Sequence, residues 1–226
     1  MLVTSLRRPH APPSLTPDRS AIDHFLAHCH RRRYPSRSDV FRPGDPAGTI
    51  YYIVSGSLSA VVEEEDGREL VLGYFNAGDF VGETGVFVST PSREVVMRTR
   101  TATELAEIGV ERLHALFAGP LADDCAKILF AIGQQLTKRL LHTSRKASRL
   151  AFMDVTSRIV NTLNDLCEEP DAMSHPQGTQ IRVSRQELAR IVGCSREMAG
   201  RVLKQLEEDG ALEAHGKTIV VYHERS

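Results

Sequence analysis

The sequence has no Cys-x-x-Cys pair, no long apolar run and almost no net charge, and each gap removes a class of protein. Its four cysteines, Cys29, Cys125, Cys167 and Cys194, are widely scattered, which rules against a disulfide framework and against a closely spaced metal site. They read as ordinary thiols. No apolar stretch approaches the roughly 20 residues that a membrane span needs, and the basic N-terminus lacks the apolar core of a signal peptide. A cytoplasmic protein with no membrane partner is expected. A net charge of −1 carries no global signature for nucleic acid, so any binding to DNA must come from a local patch. Between Asp39 and Ile108 there is neither a histidine nor a cysteine. That stretch supplies no metal cluster and no nucleophile–base pair, which argues against an enzyme. His24, His28 and His30 do surround Cys29, with 24 and 28 on one helix face. Beside the basic run "HRRRYPSR" they read as a solvated helix, and no metal is expected.

What is present falls into segments. At 226 residues the chain is long enough for two modest domains, each with its own core. Residues 1–18, rich in Pro, Ser and Thr, read as a flexible tail. "AIDHFLAHC" is a short amphipathic helix. From Asp39 to Ile108, short β-branched or aromatic runs such as "TIYYIVSGSLSAVVEE" and "RELVLGYF" alternate with turn signals, "FRPGDP" and "EDGRE". This pattern predicts an antiparallel barrel or sandwich. After Gly119-Pro120 the period becomes helical: Ile128, Leu129, Ile132, Leu136 and Leu140 recur at three- and four-residue steps from about Ala122 to Lys146. Some 25 residues make about 37 Å of helix, and the stripe predicts a two-helix seam between copies of the chain. A core helix within one chain is the alternative. A second helix, "MDVTSRIVNTLNDLCEE", ends before Pro170. The expected segments are thus a tail (1–18), a β-rich domain (19–118), a long helix (119–150) and a C-terminal domain (151–226), an α+β chain.

The chemistry concentrates in "VSRQELARIVGCSREMAGRVLKQL", residues 183–206. Ser184 with Glu187 three residues on is a capping-box pattern, opening a helix with Leu188, Ile191 and Val192 inward. Gly193 permits a tight turn. Ser195 caps a second helix, whose apolar side is Met198, Ala199, Val202 and Leu206. The opposite side carries Arg196, Gly200, Arg201 and Lys204, and the N-terminal turn adds the acid Glu197. Such a helix fits the major groove of B-DNA, where Arg pairs bidentately with guanine and Glu accepts from cytosine N4. From His175 to Leu206 there are six Arg or Lys against two Glu, so the local basic patch exists. "ALEAHGKTIVVY" then reads as a hairpin turning at His215-Gly216-Lys217, a wing that puts Lys217 on a phosphate.

With these motifs the chain resembles the cyclic-AMP receptor protein family (CRP/FNR) of bacterial transcription regulators over residues 22–222. "RQELARIVGCSREMAGRVLK" and "AHGKTIVVY" look like its winged helix-turn-helix; "GDPAGTIYYIVSGSLSAV" and "GDFVGETGVF" look like its cyclic-nucleotide-binding β-roll. The resemblance implies base contacts from Arg196, Glu197 and Arg201, and phosphate contacts from Ser195, Arg185, Gln186, Lys204 and the wing around Lys217. It also implies a homodimer, and a contact with RNA polymerase through "AMSHPQG", with Ala172, Ser174, His175 and Gly178. Composition alone makes that segment a loop. In the nucleotide site Gly82, Glu83, Arg93, Thr143 and Ser144 match the family pattern. Iron–sulfur and haem variants are disfavoured by the lack of an N-terminal cysteine cluster.

One position departs: Glu94 replaces the serine that follows the phosphate-binding arginine. Two unit charges about 4 Å apart repel by roughly 4 kcal/mol at an effective dielectric near 20. Cyclic AMP should then bind roughly two or three orders of magnitude worse than in the parent pattern. A carboxylate suits the donors of a guanine edge, while Arg145 and Arg149 suit purine stacking or a phosphodiester. This combination, with "FLAHCHRRRYPSRSDVFRPGDPAGT", looks like the Clp subgroup from xanthomonads. That resemblance implies a global regulator that binds DNA without ligand and is released by cyclic di-GMP. The alternatives are a cyclic-AMP-activated factor, or a nucleotide-independent regulator in which Glu94 merely bridges to Arg93 or Arg149.

Overall fold

The computed structural model describes residues 19–64, 67–169 and 172–222; the tail expected over residues 1–18 lies outside them. The elements run α1 (Arg19–Ala27), β1 (His30–Tyr34), β2 (Asp39–Phe41), β3 (Thr49–Ser55), β4 (Ser57–Glu63), β5 (Glu69–Asn76), β6 (Phe80–Val81), α2 (Thr84–Phe87), β7 (Val96–Thr99), β8 (Thr103–Gly109), α3 (Val110–Phe117), α4 (Cys125–Phe152), α5 (Val155–Cys167), β9 (Met173–His175), β10 (Gly178–Arg182), α6 (Arg185–Val192), α7 (Arg196–Glu208), β11 (Leu212–His215) and β12 (Thr218–Tyr222). By packing, the chain forms two units. One runs up to Ser59 and resumes over Tyr74–Leu140; the other joins Ala60–Gly73 to the residues from Leu141 onward.

The expected antiparallel β architecture is present as two four-stranded sheets, in orders β1-β8-β3-β6 and β2-β7-β4-β5. Pairing of Ile50 with Ile108 and of Ile53 with Leu105 sets the register of β3 on β8. Alternation then sets Ile50 with Ile108 on one face of the pair and Ile53 with Leu105 on the other, and all four are buried. Phe25 of α1 packs edge-on against Phe80 at 5.4 Å, and Phe80 against Tyr52 at 5.0 Å. Leu113 and Leu116 of α3 and Ile128 and Ile132 of α4 complete this core. Each such side chain contributes about 1.5–3 kcal/mol by leaving water.

The long helix is real, and at 28 residues it is slightly longer than its period suggested. Its apolar stripe, however, is divided. Ile128 and Ile132 are fully buried in the barrel core, so that half follows the alternative of a core helix within one chain. Leu140 and Leu141 are 66% and 54% exposed, leaving only the later part for a partner. Gln135 anchors α4 to the turn before β6, accepting from the Phe80 amide at 2.8 Å and donating to the Gly78 carbonyl at 3.0 Å.

In the second unit a sheet of order β11-β12-β10-β9 and helices α5, α6 and α7 enclose Ile159, Leu163, Leu188, Ala199, Leu203 and Ile219. The segment expected as a loop, residues 172–178, instead holds strand β9 and the turn into β10, with Gly178 paired to His175 and Thr179 to Ser174. Composition misses it because both strands are short and polar. Glycine is required at 178: a methyl group there would lie 1.9 Å from the Val221 carbonyl oxygen. No helix among the described residues is long and apolar enough to cross a membrane.

Candidate nucleic-acid interface and nucleotide site

Helices α6 and α7 start and turn where the sequence indicated. Ser184 Oγ accepts from the Glu187 amide and Ser195 Oγ from the Met198 amide, each at 3.1 Å. Gly193 closes α6 in the left-handed region at φ 73°, where any side chain would be strained. Leu188, Ala189 and Val192 of α6 face Ala199, Val202 and Leu203 of α7 in the core. Arg185, Gln186, Ser195, Arg196, Glu197, Arg201, Lys204 and Lys217 are all exposed. The burial of one face thus leaves every residue expected at DNA on the open side. A methyl group at Gly200 would meet the Arg185 Cδ at 3.7 Å, an ordinary contact, so space alone does not require glycine there.

The electrostatics of this face suit base reading. Hydrogen bonds from its own backbone amide and from Ser195, with Arg196 and Arg201 nearby, hold the Glu197 carboxyl below the ordinary carboxylate range. It is therefore an ionised acceptor at neutral pH. Lys204 lies 3.5 Å from Glu208 with both side chains exposed, a pair too weakly held to withdraw the lysine from a phosphate. The wing turns at Gly216, and the Val183 amide donates to the Lys217 carbonyl at 2.8 Å, tying the wing tip to the residue before the Ser184 cap.

Arg158 of α5 went unnoticed in the sequence. It donates to the carbonyls of Met153 (2.9 Å), Val192 (3.2 Å) and Gly193 (3.4 Å), filling the open C-terminal end of α6. Nothing local in "TSRIV" signals that role. Of the four residues expected at RNA polymerase, Ser174 and His175 lie on β9, Ala172 packs partly against the core and Gly178 is buried. Gly178 thus holds the hairpin closed and presents no surface of its own.

Of the residues expected at the nucleotide, Gly82, Glu83, Arg93 and Glu94 belong to the first unit and Thr143, Ser144, Arg145 and Arg149 to the second. On the barrel, Gly82 adopts φ +76°, and Glu83 and Arg93 are each only 7% exposed. The Arg93 guanidinium turns inward. It donates to the Gly82 carbonyl at 3.2 Å and to the Thr49 carbonyl, and it stacks 4.4 Å over the Phe41 ring. Its Nε is buried with no hydrogen-bond partner among the described residues. Glu83 accepts from Arg139 at 2.7 Å; Arg139 also donates to the Phe80 carbonyl and lies 4.5 Å over the Phe75 ring. Arg139 was missed too, although it stands one helical turn before Thr143.

Glu94 is exposed, and neither guanidinium suggested for it takes it as partner: Arg93 goes to carbonyls and Arg149 pairs with Asp165. An exposed charge sits in a higher dielectric. The penalty on cyclic AMP falls accordingly, from about 4 kcal/mol toward about 1 kcal/mol. Thr143, Ser144 and Arg145 are exposed on α4 in the second unit. Of the three histidines beside Cys29, His24 has its Nδ1 2.8 Å from Asp124 Oδ2, while Cys29 Sγ itself donates to the Phe25 carbonyl. Among the described residues no three His, Cys, Asp or Glu gather to hold a metal ion.

Known proteins match this arrangement. Residues 31–119 fit the cyclic nucleotide-binding domain and residues 181–212 the bacterial regulatory proteins of the crp family. The chain is 66% identical over 225 residues to the CRP-like protein Clp of Xanthomonas campestris pv. campestris (strain B100), covering 100% of this chain and 97% of that relative. Clp of Xanthomonas oryzae pv. oryzae (strain PXO99A) matches to the same extent, 66% over 225 residues with 100% and 97% covered. The solved structure of the c-di-GMP responsive global regulator CLP, which links cell–cell signaling to virulence gene expression in Xanthomonas campestris, has a TM-score of 0.87 and 68% identity, covering 91% of this chain and 100% of that one. A CooA mutant from Carboxydothermus hydrogenoformans, at 17% identity with 87% and 85% of the chains covered and a TM-score of 0.73, shares the fold alone. On a full-length likeness at two-thirds identity, the chain belongs to the crp family of bacterial transcription regulators, with a cyclic nucleotide-binding domain at its N-terminal end and the family's helix-turn-helix at its C-terminal end.

Proposed function

We propose that this protein is a cytoplasmic homodimeric regulator that reads a palindromic operator without ligand and is withdrawn from it by cyclic di-GMP. Residues 19–118 act as sensor, 119–150 as the helix that pairs two copies, and 151–226 as reader. The observation that carries the reading is the open face of α6, α7 and the wing. Eight polar or charged side chains expected at DNA are exposed there, opposite the buried Leu188, Ala189, Val192, Ala199, Val202 and Leu203. Arg196, Glu197 and Arg201 read bases; Arg185, Gln186, Ser195, Lys204 and Lys217 hold phosphates. The exposed Leu140 and Leu141 continue the seam to a second copy. The two α7 helices then lie about 34 Å apart on two half-sites. The turn around Ser174 and His175 meets RNA polymerase.

The ligand reading draws on the buried Arg93 Nε, a donor without an acceptor, on Glu94 as acceptor for a guanine edge, and on the named c-di-GMP response of the Clp relative. Thr143, Ser144, Arg145 and Arg149 are the ligand contacts proposed on α4. A nucleotide-independent regulator is the second reading, favoured by the carbonyls that already occupy Arg93. Calorimetric titration with cyclic AMP and cyclic di-GMP in parallel, followed by operator binding with each, separates these. Cyclic di-GMP should bind and release the operator; tight, activating cyclic AMP defeats the proposal, and no heat from either supports the second reading.

A further inference from the structure

The end of β4 and the start of β5 belong to the same unit as the reader, and three consecutive residues at the start of β5 grip it. Glu69 Oε2 lies 2.7 Å from Arg190 Nε, with the side chains 15% and 42% exposed. Leu70 Cδ1 lies 3.5 Å from where a methyl group on Gly193 would sit, and Leu150 Cδ2 lies 3.4 Å from the same point. The Val71 carbonyl accepts from Lys146 Nζ. Arg190 stands near the C-terminal end of α6, and Gly193 is the left-handed turn that sets α7. The grip therefore holds the recognition pair at its bend, away from the DNA-facing Arg185, Gln186 and Arg196. Strand β5 continues unbroken to Phe75, whose ring lies beneath the Arg139 guanidinium bound to Glu83. One strand thus bears both the grip on the reader and the ring beneath the Arg139–Glu83 pair, beside the cradle of Gly82, Glu83 and Arg93 proposed for the nucleotide.

We propose that Glu69 and Arg190, with Leu70 seated at Gly193 and Lys146 on the Val71 carbonyl, form a latch that holds the reader in its DNA-competent arrangement, and that occupation of the cradle acts through β5 to weaken it. This rests on the reading that the ligand-free protein is the DNA-competent form. A latch of this kind couples two sites because any ligand that strains β5 binds the unlatched form better. The carboxylate–guanidinium pair is its specific element; the leucine and lysine contacts fix where β5 lies.

The test uses the full chain, an operator duplex and no nucleotide, with affinity read by fluorescence anisotropy. Glu69→Gln and Arg190→Gln should each weaken operator binding about three- to fivefold, and the double variant no more than either alone. Reversing the pair, E69R with R190E, should recover at least part of the loss. Unchanged or tighter binding, additive losses, or a loss for Arg190→Gln alone overturns the latch, the last because it marks Arg190 as a phosphate contact. Should a glutamine variant fail to fold, Glu69→Asp, which keeps the charge and shortens its reach, must show the same direction. Failure of cyclic di-GMP to bind in calorimetry would remove the proposed ligand but leave this cycle intact, so the two failures are distinguishable.

Discussion

Replacing Arg158 with methionine tests how the recognition pair is held. Methionine keeps an unbranched apolar stem and removes the guanidinium that bonds the carbonyls of Met153, Val192 and Gly193 at 2.9, 3.2 and 3.4 Å. Two of those carbonyls belong to the open end of α6, where the helix dipole also favours a cation. Because the bonds are mostly long and partly solvated, each is discounted below the charge-assisted range to about 0.7 kcal/mol, near the lower end for an ordinary hydrogen bond, for a total of about 2 kcal/mol. For a unit of this size that corresponds to a fall of about 8–15 °C in thermal midpoint. Differential scanning calorimetry of the full chain should show the lower transition moving while the barrel transition stays. Operator affinity at room temperature should drop as well, because a loosened turn spreads α7 over orientations that read the groove only in part. Arg158→Lys should recover part of both effects. A midpoint shift below about 3 °C with unchanged operator affinity would show that water satisfies those carbonyls equally well, and the positioning role would be lost.

Arg196→Ala should cost about 1–3 kcal/mol on the operator and relax one base preference, measured against a panel of single-base substitutions; equal losses on random DNA would make it a phosphate contact only. Glu94→Ser should raise cyclic AMP affinity about five- to tenfold, the effect of removing roughly 1 kcal/mol of solvent-screened repulsion, and a calorimetric titration in which affinity is unchanged would remove Glu94 from the site. Burial pulls the Lys146 amine down to about 8 from 10.5. Below about 8 both states are charged and folding bears the burial cost; between 8 and 10.5 the folded state sheds its proton first, so stability should rise with pH, by about 1 kcal/mol after solvent screening. Urea titrations across that range should show the rise, and Lys146→Met should flatten it. Gly178→Ala sets a methyl group 1.9 Å from the Val221 carbonyl oxygen and should abolish the second unit's cooperative melt; a wild-type melt would mean that the sheet yields there.

The recognition pair was legible because its signals are local. Capping serines, a turn glycine and a 3.6-residue period each act over three or four positions, and the structure adds only the partner atoms. The alternating strands were legible for the same reason. Arg158, Arg139 and Gln135 were not, because each acts through backbone atoms far along the chain, such as the Phe80 amide 55 residues from Gln135. The α4 stripe was misjudged over Ile128 and Ile132 because periodicity reports an apolar face without saying what covers it. Glu94 shows a third kind of gap. Its position beside Arg93 was plain, but its exposure, which decides the dielectric and hence the size of the penalty, is a property of the folded chain.

Arg93 sets a condition that any ligand of the barrel must meet. As it stands, its guanidinium is engaged by the Gly82 and Thr49 carbonyls and the Phe41 ring. Turning it toward a phosphate forfeits two charge-assisted hydrogen bonds of about 1.5–3 kcal/mol each, along with the ring contact, and leaves two carbonyls to be satisfied again. An anion that reaches the orphaned Nε instead gains a bond without breaking those two. A cyclic mononucleotide has a single phosphate with which to meet either cost. A cyclic dinucleotide has two, plus two guanine edges, so it can use the inward Arg93 and place its remaining contacts elsewhere. The inward arginine thus acts in the same direction as Glu94. It raises the threshold for a small ligand more than for a large one, and it does so from a residue that is unchanged from the family pattern.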